Sequence, residues 1–169
     1  MNARTVLALT LALAPLTACD AADTDTDKDL AAAHIEAVER RIAACNAQDW
    51  DTWESLHTAD AVRTAPELPE PLVGAAEMRA GIEELVETFP DYELTLVEAF
   101  GAEDRLMARI HARGTMLGPL DINGVIVPPT GLAFEQDWVG VITFDGDKIS
   151  MIDEFHDNYE LLVQLGLSQ

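Results

Sequence analysis

The sequence predicts an α+β fold in which N-terminal helices pack against one face of a curved antiparallel sheet. Three observations predict it. Apolar residues recur at spacings of three and four as far as Phe89, the pattern turns to alternation beyond Pro90, and turn signals such as Asp145-Gly146 divide that second half into strands. Helices first and antiparallel strands after is the order of an α+β domain. At 169 residues the chain has room for one domain, and an apolar content of 49% supports a core that needs neither disulfides nor a structural metal.

The N-terminus reads as a secretion signal. Arg4 precedes the apolar run Val6-Leu7-Ala8-Leu9-Thr10-Leu11-Ala12-Leu13-Ala14, and small residues follow it. That run is too short to span a bilayer. It ends Leu16-Thr17-Ala18-Cys19, which looks like a bacterial lipobox, so residues 1–18 are expected to be a lipoprotein signal peptide and Cys19 the acylated first residue of the mature chain. The alternative is an ordinary secretory signal, and the domain is exported in either case. The expected location is the periplasmic or extracytoplasmic face of a bacterial membrane, with the lipid on Cys19 as the anchor. Residues 19–29 are acidic and lack a bulky apolar side chain, which reads as a flexible tether; residues 30–169 make up the domain.

Within the domain, Ile35, Val38, Ile42 and Cys45 share one face of a helix expected to start near Asp29 and to end at Asn46-Ala47-Gln48-Asp49. Asp51 with Glu54 three residues on is a capping-box pattern for a short second helix through Leu56, with Trp50, Trp53 and Leu56 on its core side. Pro66, Pro69 and Pro71 make residues 64–73 a stiff loop. Gly74 leads into a third helix that presents Met78, Ile82, Leu85 and Phe89 on one face and stops at Pro90. Strands are expected near 92–100, 104–117, 132–144 and 147–157, the last two joined by the hairpin signal Asp145-Gly146.

The formal net charge is −21, which disfavours nucleic acid and anionic lipid headgroups as partners without naming a positive one. With Cys19 acylated, Cys45 has no partner within the chain, and its place on an apolar stripe suits a buried, inert thiol. No two of the four histidines have the spacing of a helical metal pair, so no metal site is expected. Neither a phosphate-cradling glycine loop nor a nucleophile elbow is present, which disfavours nucleotide enzymes and serine hydrolases.

Three stretches stand out: Phe89-Pro90-Asp91-Tyr92; Gly114-Thr115 with Gly118 and Pro129-Thr130-Gly131; and Asp145-Gly146-Asp147-Lys148-Ile149 followed by Asp157 and Leu161-Leu162-Val163-Gln164-Leu165-Gly166. Together, in this order and spacing, they resemble the SnoaL-like polyketide cyclases of the nuclear transport factor 2-like superfamily. The resemblance covers roughly residues 30–167 and implies a bent sheet and helices wrapped into a cone-shaped pocket for a small apolar molecule. It also implies a homodimer paired through the outer sheet face, and chemistry without metal or cofactor. Asp157 matches the acid that moves protons in the characterised cyclases. The chain departs from many relatives at Met116, where they carry histidine, and at Asp153, where they often carry tryptophan.

Alternation along the last strand puts Ile149, Met151, Asp153, Phe155 and Asp157 on one face and Ser150, Ile152, Glu154 and His156 on the other. The first set is expected to line the pocket. Asp157 is the expected general acid/base, its carboxyl raised by burial; the alternative is that it caps the strand end and bonds backbone amides of the following turn. In a regular strand His156 points away from Asp157, so an adjacent His-Asp couple is not implied unless the strand bulges. Trp53, Phe89 and Trp138, with Trp50, Phe134 and Phe155, read as core and pocket lining. Arg109 and His111 lie on a basic face with Met107 and Arg113. That face either stabilises an anionic group on a ligand or forms an outer surface balanced by Glu135, Gln136 and Asp137, and the outer surface is favoured because charge stripes are usually solvated.

Two functions stand at this point. One is a cofactor-independent cyclase, isomerase, dehydratase or hydrolase acting on an apolar carbonyl compound. The other is a non-catalytic module that binds an apolar ligand or a protein partner at the membrane surface. Fold alone does not separate them.

Overall fold

The computed structural model describes residues 21–122 and 124–168. Residues 1–18, expected to be a signal peptide, and Cys19 lie outside the described residues. Helix α1 runs Ala21–Asn46 and so begins before the expected Asp29, taking in most of the stretch read as a flexible tether. Negative charge is favourable at the positive N-terminal end of a helix dipole, so an acidic run can begin a helix as well as a tether. The buried face of α1 carries Val38, Ile42 and Cys45 as the periodicity requires, and also His34, Ala37, Arg41 and Ala44. Asn46 ends the helix and ties it to the sheet: its amide donates to the Leu94 carbonyl (2.8 Å) and accepts from the Leu94 N–H (2.9 Å), as a neighbouring strand would.

Helix α2, Trp50–Ser55, is capped by Asp49, whose side chain accepts from the Thr52 N–H, rather than by Asp51. Trp53 is its buried anchor. The chain then forms strands β1 (His57–Thr64) and β2 (Leu72–Val73), neither of which was expected; the second lies within the proline-rich loop. Helix α3, Ala75–Thr88, starts at Gly74 and ends at Phe89. Its last carbonyl is closed by two backbone donors, since Leu117 N–H (3.0 Å) and Gly118 N–H (2.9 Å) both reach Thr88 O. That approach needs glycine, because a Cβ at Gly118 would lie 2.1 Å from the Glu87 carbonyl oxygen.

Strands β3 (Glu93–Ala102) and β4 (Arg105–Thr115) are followed by a small separate hairpin, β5 (Leu120–Ile122) with β6 (Val125–Val127). Strands β7 (Ala133–Asp145) and β8 (Lys148–Phe155) are joined by the expected Asp145-Gly146 turn, and a short helix, α4 (Asn158–Gln164), comes last. The main sheet has six strands in the order β2-β1-β8-β7-β4-β3. All of its pairings are antiparallel except β1 with β8, which is parallel. Helices pack on the concave face around a core that includes Trp53, Phe89, Leu106, Ile110, Ile142 and Ile152. His34 fastens α1 to the far hairpin by stacking on Phe144 (centroids 3.9 Å apart) and reaching the Gly146 carbonyl at 3.3 Å.

One irregularity decides which residues face the interior. Thr143 stands opposite Met151 and Phe144 opposite Ile149, so Ser150 is an extra residue on β8. Ile149 therefore points inward as expected, but beyond the bulge Ile152 and Glu154 point inward, and Met151, Asp153 and Phe155 point outward.

Candidate active site

A cavity of about 410 Å³ fills the concave side of the sheet. Its apolar walls come from α3 (Met78, Ile82, Leu85), from Phe89, from the sheet (Leu94, Phe134, Trp138) and from α4 (Leu161, Leu162). Phe89 and Phe134 meet edge to face with centroids 5.1 Å apart, which fixes that corner. Gly140, opposite Glu154 on β7, leaves room for the indole of Trp138, and a Cβ there would lie 3.2 Å from its Cζ3.

Polar groups enter this apolar space from three directions. Arg63 on β1 reaches Glu154 on β8 at 2.6 Å and Glu67 in the following loop at 2.9 Å. His156, just past β8, places Nε2 3.2 Å from the other Glu67 oxygen, with a side chain only 9% exposed. Burial alone would raise the Glu67 carboxyl, but the hydrogen bond from His156 and the charge of Arg63 outweigh it and hold the group at about 2. Burial would likewise lower the Arg63 guanidinium, yet the adjacent Glu154 and Glu67 carboxylates hold it above its ordinary value.

Arg41 enters from α1, and only 4% of it is exposed. Its guanidinium lies 5.1 Å over the Trp53 ring, and its Nε–H donates to His57 Nε2 at 3.2 Å. Since the Trp53 carbonyl can only accept, His57 donates Nδ1–H to it (2.9 Å) and is fixed as the neutral tautomer. Burial, then the Arg41 charge, push His57 down to about 3. Tyr92 also lines the cavity, and burial pushes its phenol well above the usual tyrosine value.

These positions correct part of the sequence reading. Trp53, Phe89 and Trp138 line the cavity as expected, whereas Met151, Asp153, Phe155, Arg109, His111 and Asp157 do not. Met151, Asp153 and Phe155 are turned outward by the bulge; Asp153 accepts from Thr64 Oγ1 (2.7 Å), and Phe155 is 59% exposed. Asp157 is the exposed N-cap of α4, accepting from the N–H groups of Tyr159 (3.0 Å) and Glu160 (3.1 Å). Arg109 and His111 pair on the outer face with Asp137 at 2.8 Å each, and Arg109 also pairs with Glu98 at 2.9 Å. Arg41, Arg63, Glu67 and Tyr92 were missed, and Glu154 and His156 were placed on the wrong face. The signal for the last two was the bulge, and a charged residue at Arg41, on the same helical face as Val38 and Cys45, was the signal for the first. Among the described residues no group of three or more histidine, cysteine or acidic side chains could hold a metal ion.

A cone of bent sheet and helices closed around one mainly apolar cavity defines a domain built to hold a small molecule. The chain belongs to the SnoaL-like polyketide cyclase family, whose sequence model matches residues 36–165. Among solved structures it is similar to a protein from Jannaschia sp. CCS1 assigned as a SnoaL-like polyketide cyclase, at TM-score 0.71 and 20% identity, over 82% of this chain and 95% of that one. It is also similar to AclR from Streptomyces galilaeus, assigned as a hydroxylase, at TM-score 0.66 and 26% identity over 80% and 96% of the two chains. IdmH from Streptomyces antibioticus, assigned as a polyketide cyclase, matches at TM-score 0.63 and 25% identity over 78% and 96%. No curated protein matches the chain.

Proposed function

We propose that the protein is an exported lipoprotein, anchored through Cys19, whose cavity performs cofactor-independent general acid/base chemistry on an apolar carbonyl compound. The observation that carries the chemistry is the His156–Glu67 couple on the wall of a mostly apolar cavity. A carboxylate that accepts from Nε2–H orients the imidazole and leaves Nδ1 with its lone pair. That nitrogen takes a proton from carbon next to the substrate carbonyl and returns it at a second position, which is the elementary act shared by cyclases and isomerases. Family membership and the likeness to AclR and IdmH support a small-molecule substrate.

A second reading, a binding module without turnover, draws on Arg63 and Glu154, which satisfy one another within the wall as purely structural groups do. Under either reading the outer face suits a homodimer, because Phe100, Met107 and Phe155 are exposed there beside the Arg109–Asp137 pair.

Deuterium exchange separates the two. The purified chain, incubated in heavy water with an apolar enolisable ketone such as 2-tetralone, is expected to speed label uptake, and His156→Gln is expected to remove about 10²–10⁴-fold of that rate while the ketone still binds. Binding with no accelerated exchange would leave the binding module; exchange that survives both His156→Gln and Glu67→Gln would remove the couple from the mechanism.

A further inference from the structure

We propose that Arg41 and Tyr92 form an oxyanion seat in the cavity, so that the ligand is an apolar molecule held by a negatively charged oxygen, as a carboxylate or an ionised enol or phenol. This rests on the small-molecule reading of the same cavity and goes further by fixing the charge of what occupies it.

Arg41 carries the argument. Its guanidinium is buried, yet only Nε is used, on a neutral histidine. Among the described residues nothing accepts a hydrogen bond from Nη1 or Nη2, and no carboxylate oxygen lies within 4.0 Å of the group. Glu154, whose charge acts on Arg41, is itself taken by Arg63 at 2.6 Å. A guanidinium keeps its proton, so a buried one that no carboxylate touches, that Glu154 steadies only through space and that opens on the cavity is costly to maintain. A structural arginine would be paired; one with an open fork in a cavity fits a ligand.

Tyr92 adds an independent donor. It lines the same cavity, lies close enough to Arg41 for their charges to interact, and has no hydrogen-bond acceptor for its hydroxyl among the described residues. Burial keeps that phenol protonated and therefore a donor. The imidazole of His57 and the face of Trp53 hold Arg41 from behind, so the seat is rigid before a ligand arrives. Both donors share the cavity lining with Leu94, Phe134 and other apolar groups, and in such a setting a charged hydrogen bond is strengthened.

The test compares probes of one shape. Binding of 2-naphthoate, 2-naphthol and 2-naphthamide to the full chain in detergent is measured by fluorescence titration at pH 7. The seat predicts that naphthoate binds about ten- to a hundredfold tighter than naphthamide, the range of a charge-assisted hydrogen bond. If the natural group is an ionised enol or phenol, the gain falls on 2-naphthol, seen as naphtholate absorption in the complex. Arg41→Met is expected to erase the preference while naphthamide binding persists, and Tyr92→Phe to reduce it about three- to tenfold. The wild-type ratio alone decides if Arg41→Met fails to fold. Equal binding of all three probes overturns the seat and leaves the small-molecule pocket standing; no binding of any overturns both.

Discussion

Arg41 donates its Nε–H to Nε2 of His57 across 3.2 Å, and through that bond the charge in the cavity is tied to the protonation of one buried ring. His57 stays neutral in the folded chain down to about 3, against 6.5 for a free histidine. The unfolded chain therefore binds a proton that the folded chain refuses, so stability is highest above pH 6.5 and falls as pH drops toward 3. The expected slope from this ring is up to about 1.4 kcal/mol per pH unit. Denaturant titrations between pH 6.5 and 4.5 check it: His57→Gln, which can still accept from Arg41 and donate to Trp53, should flatten the dependence, and parallel profiles for the two proteins would refute the link.

Below pH 4.5 a second loss is expected from Glu67. Its folded value of about 2 against 4.5 for a free glutamate means that its pairing with Arg63 and His156 stabilises the fold above 4.5 and is lost as pH falls toward 2. In Glu67→Gln the acid limb of the stability curve should be shallower over that window.

Asp157 serves the backbone and not the cavity. Asp157→Ala is expected to cost about 1 kcal/mol, the usual worth of an N-cap, with Asp157→Asn nearly silent because asparagine caps equally well. Ketone exchange should be unchanged in both, and a lost rate in Asp157→Asn with the fold intact would return this residue to the chemistry.

Gly118→Ala tests the joint between α3 and the strand region. The added methyl would meet the Glu87 carbonyl at 2.1 Å, so the loop must retreat and release the two N–H groups that close the helix on Thr88. A loss of about 2–3 kcal/mol is expected, read from the urea midpoint.

Cys19→Ser is expected to free the protein from membranes, as fractionation of cells would show. Membrane association that survives the substitution would defeat the lipid-anchor proposal.

The fold was legible because its signals are local. The stripe Ile35, Val38, Ile42, Cys45, the stop at Pro90 and the Asp145-Gly146 turn each act within a few residues. Strand β1 was not legible, because it is held by parallel pairing of Val62 with Met151 far along the chain, and its own sequence lacks alternation. The walls of the cavity were half legible: Trp53, Phe89 and Trp138 are large and apolar wherever they fall. The polar lining was not, since Glu67 comes from the segment read as a stiff loop, Arg63 from a stretch that was given no element, and Glu154 and His156 depend on strand phase. Asp157 was misplaced for the same reason, although capping of the turn beyond it was among the readings the residues allowed.

That phase departs from the alternation of the sequence at Ser150. Ser150 is surplus to the ladder, so without it Met151 would follow Ile149 directly, still opposite Thr143, and Ile152 and Glu154 would still point inward. A three-nucleotide deletion at this position would straighten the strand and leave the chemistry of the interior as it is. The wall of the cavity is thus buffered against the loss of one residue at the place where the strand already carries one too many.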